Sequence, residues 1–377
     1  MKQLSIKPTV YQYETFKDFA DEFKLGAKDV ILTNAWIHAP AIEKCNLDCK
    51  VVLQEKYGGG EPTDAMVQGI LDEIASLGEI DRIIAVGGGT IIDISKIACL
   101  GGETDIYAMY DSPNLTKKRE LIIVPTTAGT GSEVTNIAVV NLTKKGIKKG
   151  LVSDYMYADK AVLIPEFIPG APYKVFATSA IDALVHACEA YLNIPKATDY
   201  TDIFAKAAIT DILDGFKKIV AVDDEAARKA IIAENSAMFL RASNYAGIAF
   251  CNSSCGAVHA MSYAFGAKYH VAHGESNYQF FTEVFKTYMK REPEGKIASL
   301  NKVYAGILGC DEAVVYDELD KVLNKLLNKK PLREYGMTEE QIETFTKSTV
   351  DNQQRLLSKS YVPLSYEELR QIFVNLY

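Results

Sequence analysis

The fold is decided by one stretch of the chain, Arg82-Ile-Ile-Ala-Val-Gly-Gly-Gly-Thr-Ile-Ile-Asp-Ile-Ser-Lys96. Its apolar, partly β-branched start predicts a buried strand, which the glycines end. The residues after the glycines favour a helix. A strand, a glycine turn and a helix direct backbone N–H groups and the positive helix end toward a pyrophosphate. A simple tight turn explains the glycines equally well, since neither Gly-x-Gly-x-x-Gly nor a P-loop with Gly-Lys-Ser/Thr is present.

Similar short strand patterns occur on both sides of this unit. Candidate strands cover residues 29–33, 49–53, 82–86, 121–124, 136–140 and 161–164, and residues 63–77 predict a helix. Such alternation is typical of a parallel sheet with crossover helices. After the proline-rich segment 165–172, helical patterns dominate, at 200–220, 225–242 and 310–327, with two more helices in 338–377. We therefore expect a Rossmann-like α/β dinucleotide-binding domain, residues 1–170, followed by an all-α metal-binding and substrate domain, residues 171–377.

The bulk composition excludes several classes of protein. A chain of 377 residues exceeds the usual size of one core, so two domains are expected. The net charge of −8 disfavours binding to nucleic acid or to anionic membranes. The first residues lack the apolar segment of a signal peptide, and no apolar run approaches the ~20 residues that span a bilayer. Seven cysteines without a Cys-x-x-Cys motif predict a reduced, cytoplasmic setting.

A second polar loop follows the next predicted strand, Val124-Pro-Thr-Thr-Ala-Gly-Thr-Gly-Ser-Glu-Val134. It places several hydroxyl groups beside two glycines. A plain polar connection would also fit these residues. However, ligands of open α/β sheets bind at the carboxyl ends of the strands. Two such loops after consecutive strands therefore indicate a nucleotide site.

Four of the five histidines fall between residues 186 and 273. His186 follows Asp182 by four residues in a predicted helix, so the two side chains share one face. His259 and His273 come later, and one carboxylate with three imidazoles is a plausible set for a divalent transition metal. These ligands suit Fe(II), and Zn(II) would bind them too. A dinucleotide and a metal together suggest hydride transfer to a polarised carbonyl group.

At these residues the sequence resembles the iron-containing (group III) alcohol dehydrogenases. The motifs that carry the resemblance are Gly87-Gly-Gly-Thr-x-x-Asp93, Pro125-Thr-Thr-x-Gly-Thr-Gly-Ser-Glu133, Asp182-Ala-Leu-x-His186 and His259 with His273-Gly274. The resemblance implies an active site in a cleft between the two domains. It also implies metal ligation by Asp182, His186, His259 and His273. The cofactor contacts implied in the same way are Gly88, Gly89, Thr90, Asp93, Thr126, Thr127, Thr130 and, on a less certain alignment, Lys149.

Two positions depart from the family pattern. Tyr263 stands where many members have a further histidine for proton relay, so Tyr263, His270 and ordered water are the relay candidates. Asn34 stands where members often carry an Asp that favours NAD by repelling a 2′-phosphate. We still expect NAD, with Asn34 at the cofactor.

The resemblance implies a metal-dependent oxidoreductase that acts on a primary alcohol and its aldehyde. The specific expectation is 4-hydroxybutyrate and succinate semialdehyde, a carboxylate-bearing pair. Candidate contacts for that carboxylate are the cations Lys268 and Arg241 and the polar residues Asn244, Tyr245, Asn277 and Tyr278. A homo-oligomer is also implied. The alternatives are a general short-chain alcohol or diol dehydrogenase, a metal- and NAD-using lyase of the dehydroquinate-synthase type, and a metalloprotein with structural glycine turns.

Overall fold

The structure, a computed structural model, describes residues 2–111 and 114–377. Its contacts divide the chain into two compact units. One unit is Ile6–Ala171, and the other is Pro172–Tyr377 together with the first residues up to Ser5. The start of the chain joins the helical unit through hydrogen bonds in both directions between Ser5 and Asn252. The observed units thus differ from the expected ranges 1–170 and 171–377 chiefly in these first residues.

The α/β unit is built on a six-stranded sheet in the order β1-β10-β7-β4-β2-β3, with every neighbouring pair parallel. Its strands are β1 (Thr9–Gln12), β2 (Asp29–Thr33), β3 (Lys50–Leu53), β4 (Arg82–Gly87), β7 (Glu120–Pro125) and β10 (Lys160–Leu163). Two antiparallel pairs lie outside it, β5 (Leu100–Gly101) with β6 (Thr116–Lys117), and β8 (Ile137–Leu142) with β9 (Ile147–Val152).

Among the described residues of this unit, the α-helices are α1 (Phe16–Phe23), α2 (Ala35–Ile37), α3 (Asp64–Ser76), α4 (Gly89–Ala98) and α5 (Ile106–Asp111). Both faces of the sheet are buried. Along β2, Val30 and Leu32 pack into one apolar cluster, and Ile31 packs into the other. Alternate residues of a strand point to opposite faces, so this near-continuous apolar run is that of a central strand covered on both sides.

The second unit is helical. Its helices are α6 (Tyr173–Leu192), α7 (Asp199–Val220), α8 (Glu225–Glu234), α9 (Ser236–Ser253), α10 (Ala257–Tyr269), α11 (His273–Arg291), α12 (Lys296–Leu308), α13 (Val315–Leu326), α14 (Glu340–Asn352), α15 (Gln354–Leu357) and α16 (Tyr366–Leu376). The predicted fold class, a parallel α/β region followed by an all-α region, is confirmed.

Helix α6 is the long apolar helix at the start of the helical unit. Among the described residues, it is the helix long and apolar enough to cross a membrane, with 20 residues and a mean hydropathy of 1.2 in its most apolar window. Within the fold, 89% of that window is buried. The apolar residues of α6 therefore pack in the core of the helical unit.

Some predicted elements differ in partner or in extent. The strand predicted at 136–140 exists as β8, but it pairs antiparallel with β9 outside the main sheet. The helix predicted at 225–242 is broken between α8 and α9 at Asn235, whose side-chain amide donates to the carbonyl oxygen of Ile231. The two helices predicted in 338–377 are three, because a four-residue helix follows α14.

Candidate active site

The glycine turn lies at the carboxyl edge of the sheet, between β4 and α4. Gly88 precedes the first turn of α4 and has no side chain that could cap it, so the N–H groups of that turn remain available to a ligand. A Cβ atom at Gly89 would lie 3.1 Å from Cγ2 of Thr130, and one at Gly88 would lie 3.4 Å from Cγ2 of Thr127. The two predicted cofactor loops are therefore in contact, and the glycines allow this approach.

The second loop is tied to the sheet and to itself. The N–H of Thr126 donates to the carbonyl oxygen of Gly87 at 3.1 Å, which continues the β4–β7 pairing into both loops. Further on, Gly131 has a φ of 55°, in the left-handed region, and the hydroxyl of Thr130 accepts from the N–H of Ser132. Thr90 donates its hydroxyl to the carbonyl oxygen of Gly60 at 3.0 Å.

Asp93 links α4 to the second glycine loop and to β8 through hydrogen bonds. One of its oxygens accepts from the Ser132 hydroxyl at 3.0 Å, and the other accepts from the N–H of Val139 at 2.9 Å. Burial raises the pKa of Asp93, and the nearby Lys96 ammonium opposes that shift. Lys96 is itself fully buried and donates to Ser132 and Thr135. In this arrangement Asp93 joins α4 to the second loop and to β8, and its predicted cofactor contact remains a prediction.

Asn34 and Lys149 occupy different places in the α/β unit. Asn34 follows β2 at the carboxyl edge, where its side-chain amide donates to Gln54 and Glu55, each at 3.0 Å. Lys149 lies on β9, and its ammonium lies 5.6 Å from the ring centre of Tyr110. The cofactor roles predicted for both residues remain predictions.

The four predicted metal ligands come together in the helical unit. Asp182, His186, His259 and His273 each offer a ligand atom, and these atoms lie within 4.8 Å of one another. Asp182 and His186 lie on α6, His259 lies in the first turn of α10, and His273 begins α11. Asp182, His186 and His259 are buried, while the side chain of His273 is 31% exposed. The set therefore combines an enclosed donor shell with one accessible side.

Asn277 lies at the centre of the acceptor atoms. Its Nδ2 donates to Oδ1 of Asp182 at 2.8 Å and lies 3.0 Å from Nε2 of His259 and 3.3 Å from Nε2 of His273. An amide group has two hydrogens, so it cannot satisfy three acceptors at once. Hydrogen-bond acceptors carry lone pairs, and several lone pairs directed at one point are what a divalent cation needs as ligands. The residues present therefore fit a metal ion. From the sequence, Asn277 is predicted only as a polar candidate for the substrate carboxylate, although its four-residue spacing from His273 places both on one helix face.

Glu189 holds His259 in orientation. One of its oxygens lies 2.5 Å from Nδ1 of His259, and the other accepts from the N–H of Val258 at 2.7 Å. A carboxylate on Nδ1 fixes the tautomer in which Nε2 is free to bind a metal. Glu189 follows His186 by three residues on α6, and its carboxylate pairs with His259 at the start of α10. Cys255 lies within 4.8 Å of this pair, and burial raises the pKa of its thiol.

The charge of Asp182 is stabilised by its neighbours. Burial alone would raise the pKa of this carboxyl, but the imidazoles of His186, His273 and His259, with the hydrogen bond from Asn277, lower it overall. For His259, burial opposes protonation, while Cys255 and Glu189 outweigh it and raise the pKa. The cluster thus holds carboxylates at Asp182 and Glu189, which favour a cation among the neighbouring imidazoles.

Gly274 allows α11 to approach α6. A Cβ atom at this position would lie 2.1 Å from the carbonyl oxygen of Thr178 and 3.0 Å from Cβ of Asp182. Only glycine fits such an approach without moving the backbone. The residue before it is His273, so the position of that ligand relative to Asp182 depends on this contact.

The predicted relay and substrate residues differ in how close they lie to the four predicted metal ligands. The ring of Tyr263 lies 5.9 Å from that of His273 and 6.4 Å from that of His259, beside the cluster. His270 is an exposed residue that ends α10 in a left-handed conformation, and it is not part of the cluster. Arg241 lies 3.3 Å from a carboxylate oxygen of Asp211, and Lys268 is exposed. The structure thus favours Tyr263 over His270 as a neighbour of the metal ligands.

Family models match most of the chain. The model for iron-containing alcohol dehydrogenase matches residues 8–165, and that for the C-terminal region of the Fe-containing alcohol dehydrogenase family matches residues 176–377. The chain is 50% identical over 378 aligned residues to 4-hydroxybutyrate dehydrogenase of Clostridium kluyveri, covering 100% of both proteins. It is also 33% identical to long-chain-alcohol dehydrogenase 1 of Geobacillus thermodenitrificans, covering 93% of this chain and 90% of that protein.

The fold is shared with solved structures. Sulfoacetaldehyde reductase of Bifidobacterium kashiwanohense, solved in complex with NAD+, superposes with a TM-score of 0.85 at 21% identity, covering 100% of this chain and 98% of that one. At that level of identity the likeness concerns the fold alone. The two family models and the full-length identity agree with the resemblance found in the motifs. The chain belongs to the iron-containing alcohol dehydrogenase family and is an oxidoreductase of that family.

Proposed function

We propose that this chain transfers hydride between NAD(H) and a primary alcohol or its aldehyde, with 4-hydroxybutyrate and succinate semialdehyde as the substrate pair. The strongest support is the metal cluster in a chain of this similarity. Four ligand atoms from Asp182, His186, His259 and His273 converge within 4.8 Å in a chain that is 50% identical, end to end, to a 4-hydroxybutyrate dehydrogenase. Family membership gives no support to the lyase, or to a non-enzymatic or hydrolytic metalloprotein whose glycine turns are purely structural.

The four side chains would hold the metal, and the glycine turn would hold the dinucleotide. A bound divalent ion supplies Lewis-acid activation of the substrate oxygen, and the nicotinamide supplies the hydride acceptor. One carboxylate and three imidazoles suit Fe(II), which we propose as the native metal, and they suit Zn(II) as well. Glu189 sets the His259 tautomer from Nδ1, and the first-turn N–H groups of α4 would bind the cofactor phosphates.

Tyr263 is the proposed proton relay beside the ligands, with ordered water as the other candidate. Its ring lies beside His273, so its hydroxyl is the candidate for carrying the alcohol proton toward solvent. His270, exposed at the end of α10, would act later in that path. The homo-oligomer and the reduced, cytoplasmic setting are part of the same proposal. All seven cysteines lie among the described residues as thiols outside any disulfide, which suits that setting.

The test of the proposal is the aldehyde profile. NADH oxidation is measured with succinate semialdehyde and with butyraldehyde, on protein stripped of metal and reloaded with Fe(II) or Zn(II). We expect metal-dependent turnover with a kcat/KM for the semialdehyde at least ~10-fold above that for butyraldehyde, as a charge-assisted carboxylate contact implies. Equal kcat/KM values would retain the dehydrogenase and exclude a carboxylate-selective site. Absence of turnover with either metal and either nicotinamide cofactor would reject the proposal.

A further inference from the structure

We propose that Glu55 is the residue that selects NAD over NADP in this chain, and that Asn34 is the residue that positions it. The inference rests on the proposed function, because it concerns the nucleotide that the glycine turn would bind. It deepens that proposal by assigning cofactor choice to a residue on a different strand from the expected one.

Glu55 follows β3, which ends at the same edge of the sheet as the glycine turn after β4. Thr33 of β2 pairs with Leu53 of β3, and Leu32 of β2 pairs with Ala85 of β4, so the three strands end at one edge. Neighbouring strands are about 4.8 Å apart, which places the end of β3 about 10 Å across the sheet from the glycine turn. The carboxyl edge is where open α/β sheets bind ligands, and an acidic residue there accepts the ribose 2′-hydroxyl of NAD.

The segment after Glu55 returns to the glycine turn. Residues 58–60 are all glycine, and the carbonyl oxygen of Gly60 accepts the hydroxyl of Thr90 in the first turn of α4 at 3.0 Å. Glu55 and the proposed phosphate-binding turn are therefore linked through one short, anchored segment. The hydrogen bond between Thr90 and Gly60 thus joins the segment after β3 to the first turn of α4 at the carboxyl edge of the sheet.

The carboxylate of Glu55 is held as an anion. Its Oε1 accepts from the N–H of Ala35 at 2.8 Å, and its Oε2 accepts from Nδ2 of Asn34 at 3.0 Å. Burial opposes ionisation, but these hydrogen bonds outweigh it and lower the pKa of Glu55. Each carboxylate oxygen has a further lone pair, and the side chain is only partly buried. It can therefore accept ribose hydroxyls and would repel a 2′-phosphate.

Asn34 acts through Glu55. Its two amide hydrogens are directed to Gln54 and to Glu55, and the residue is 6% exposed. Both donors thus hold side chains of the segment that follows β3. Where family members often carry an acid after β2, this chain has an amide that holds an acid after β3. An Asp at position 34 would instead place two carboxylates side by side.

The experiment measures nucleotide binding directly. The single tryptophan, Trp36, is 67% exposed and follows Ala35 at this edge, so its fluorescence reports occupancy. Dissociation constants for NADH and NADPH are measured on the full metal-loaded chain and on Glu55→Gln, Asn34→Ala and the double variant. Glu79→Gln is the matched control, since Glu79 pairs with exposed Lys28 before β4 begins, at the opposite edge of the sheet.

We expect Glu55→Gln to weaken NADH binding about tenfold without weakening NADPH binding, because one charge-assisted hydrogen bond is lost and one repulsion removed. Asn34→Ala should shift the ratio of the two constants in the same direction by less, and the double variant should match Glu55→Gln. Glu79→Gln should leave the ratio unchanged. Asn34→Ala also tests the assignment if Glu55→Gln fails to fold.

An unchanged NADH to NADPH ratio in folded Glu55→Gln would overturn the assignment. Equal weakening of both nucleotides would overturn it too, because it would show a general effect on the loop. Wild-type protein that binds neither nucleotide would instead reject the proposed function, so the two failures are distinguishable.

Discussion

Replacement of Gly274 by alanine tests how the metal site is built. The added Cβ would lie 2.1 Å from the carbonyl oxygen of Thr178, so α11 must move away from α6 by more than about 1 Å to reach ordinary contact. His273 is the neighbouring residue and would move with it. Metal–ligand distances tolerate only about ±0.2 Å, so this displacement should separate His273 from Asp182 as ligands of one ion.

We expect Gly274→Ala to lose about 1–3 kcal/mol of unfolding free energy through overpacking. Metal affinity should fall at least ~10-fold, and kcat should fall roughly 100-fold, as for a reacting group misplaced by about 1 Å. The measurements are metal content after dialysis against a competing chelator, thermal unfolding, and NADH oxidation with saturating metal.

Gly306→Ala is the matched control. Gly306 lies within α12, and a Cβ atom there would meet nothing within 4 Å among the described residues. It should stabilise the protein by about 0.5–1 kcal/mol and leave metal affinity unchanged. If folded Gly274→Ala retained wild-type metal affinity and kcat, the close approach of the two helices would not set the ligand geometry.

Two further predictions concern the metal site, and a third concerns a buried lysine of the helical unit. Glu189→Gln should lower metal affinity 10–100-fold, roughly, by removing the carboxylate on Nδ1 of His259, and competition with a chelator measures it; an unchanged affinity would mean that the ring needs no such partner. Metal at 100 times its dissociation constant should raise the unfolding free energy by about 2.7 kcal/mol, and the same metal should give no rise in Asp182→Ala, which calorimetry checks. Burial lowers the pKa of Lys329 to about 8, so between pH 8 and 10 the unfolded chain binds more protons at this residue than the folded one. The contribution of Lys329 to stability should therefore rise with pH over this range. The difference in unfolding free energy between wild type and Lys329→Met, from denaturant titrations, should rise in the same way, and a flat difference would contradict it.

Much of the α/β unit was predictable because its signals are local. The strands at 29–33, 82–86 and 121–124 are apolar runs that end in glycine or polar loops, and the structure has all three in the parallel sheet. Local pattern does not specify the partner of a strand. Hence the strand at 136–140 was assigned to the sheet, although β8 pairs with β9.

The site was predictable to the extent that spacing determines it. Asp182 and His186 share a helix face by their four-residue separation, and the family motifs supplied His259 and His273. What holds these ligands is not local. The contact between Glu189 and His259 joins residues 70 positions apart, and the close approach at Gly274 depends on how α6 and α11 pack. Glu55 could not be singled out either, because its link to Asn34 depends on the register of two strands.

In the proposed reaction, one metal ion at Asp182, His186, His259 and His273 enables hydride transfer to an aldehyde. The most direct measurement is a titration of Fe(II) into metal-stripped protein, followed by succinate-semialdehyde-dependent NADH oxidation and by metal content. We predict that activity rises in proportion to bound metal and saturates at about one ion per chain, with no recovery in folded His259→Ala. Full turnover in the stripped protein, or equal recovery in His259→Ala, would contradict the account.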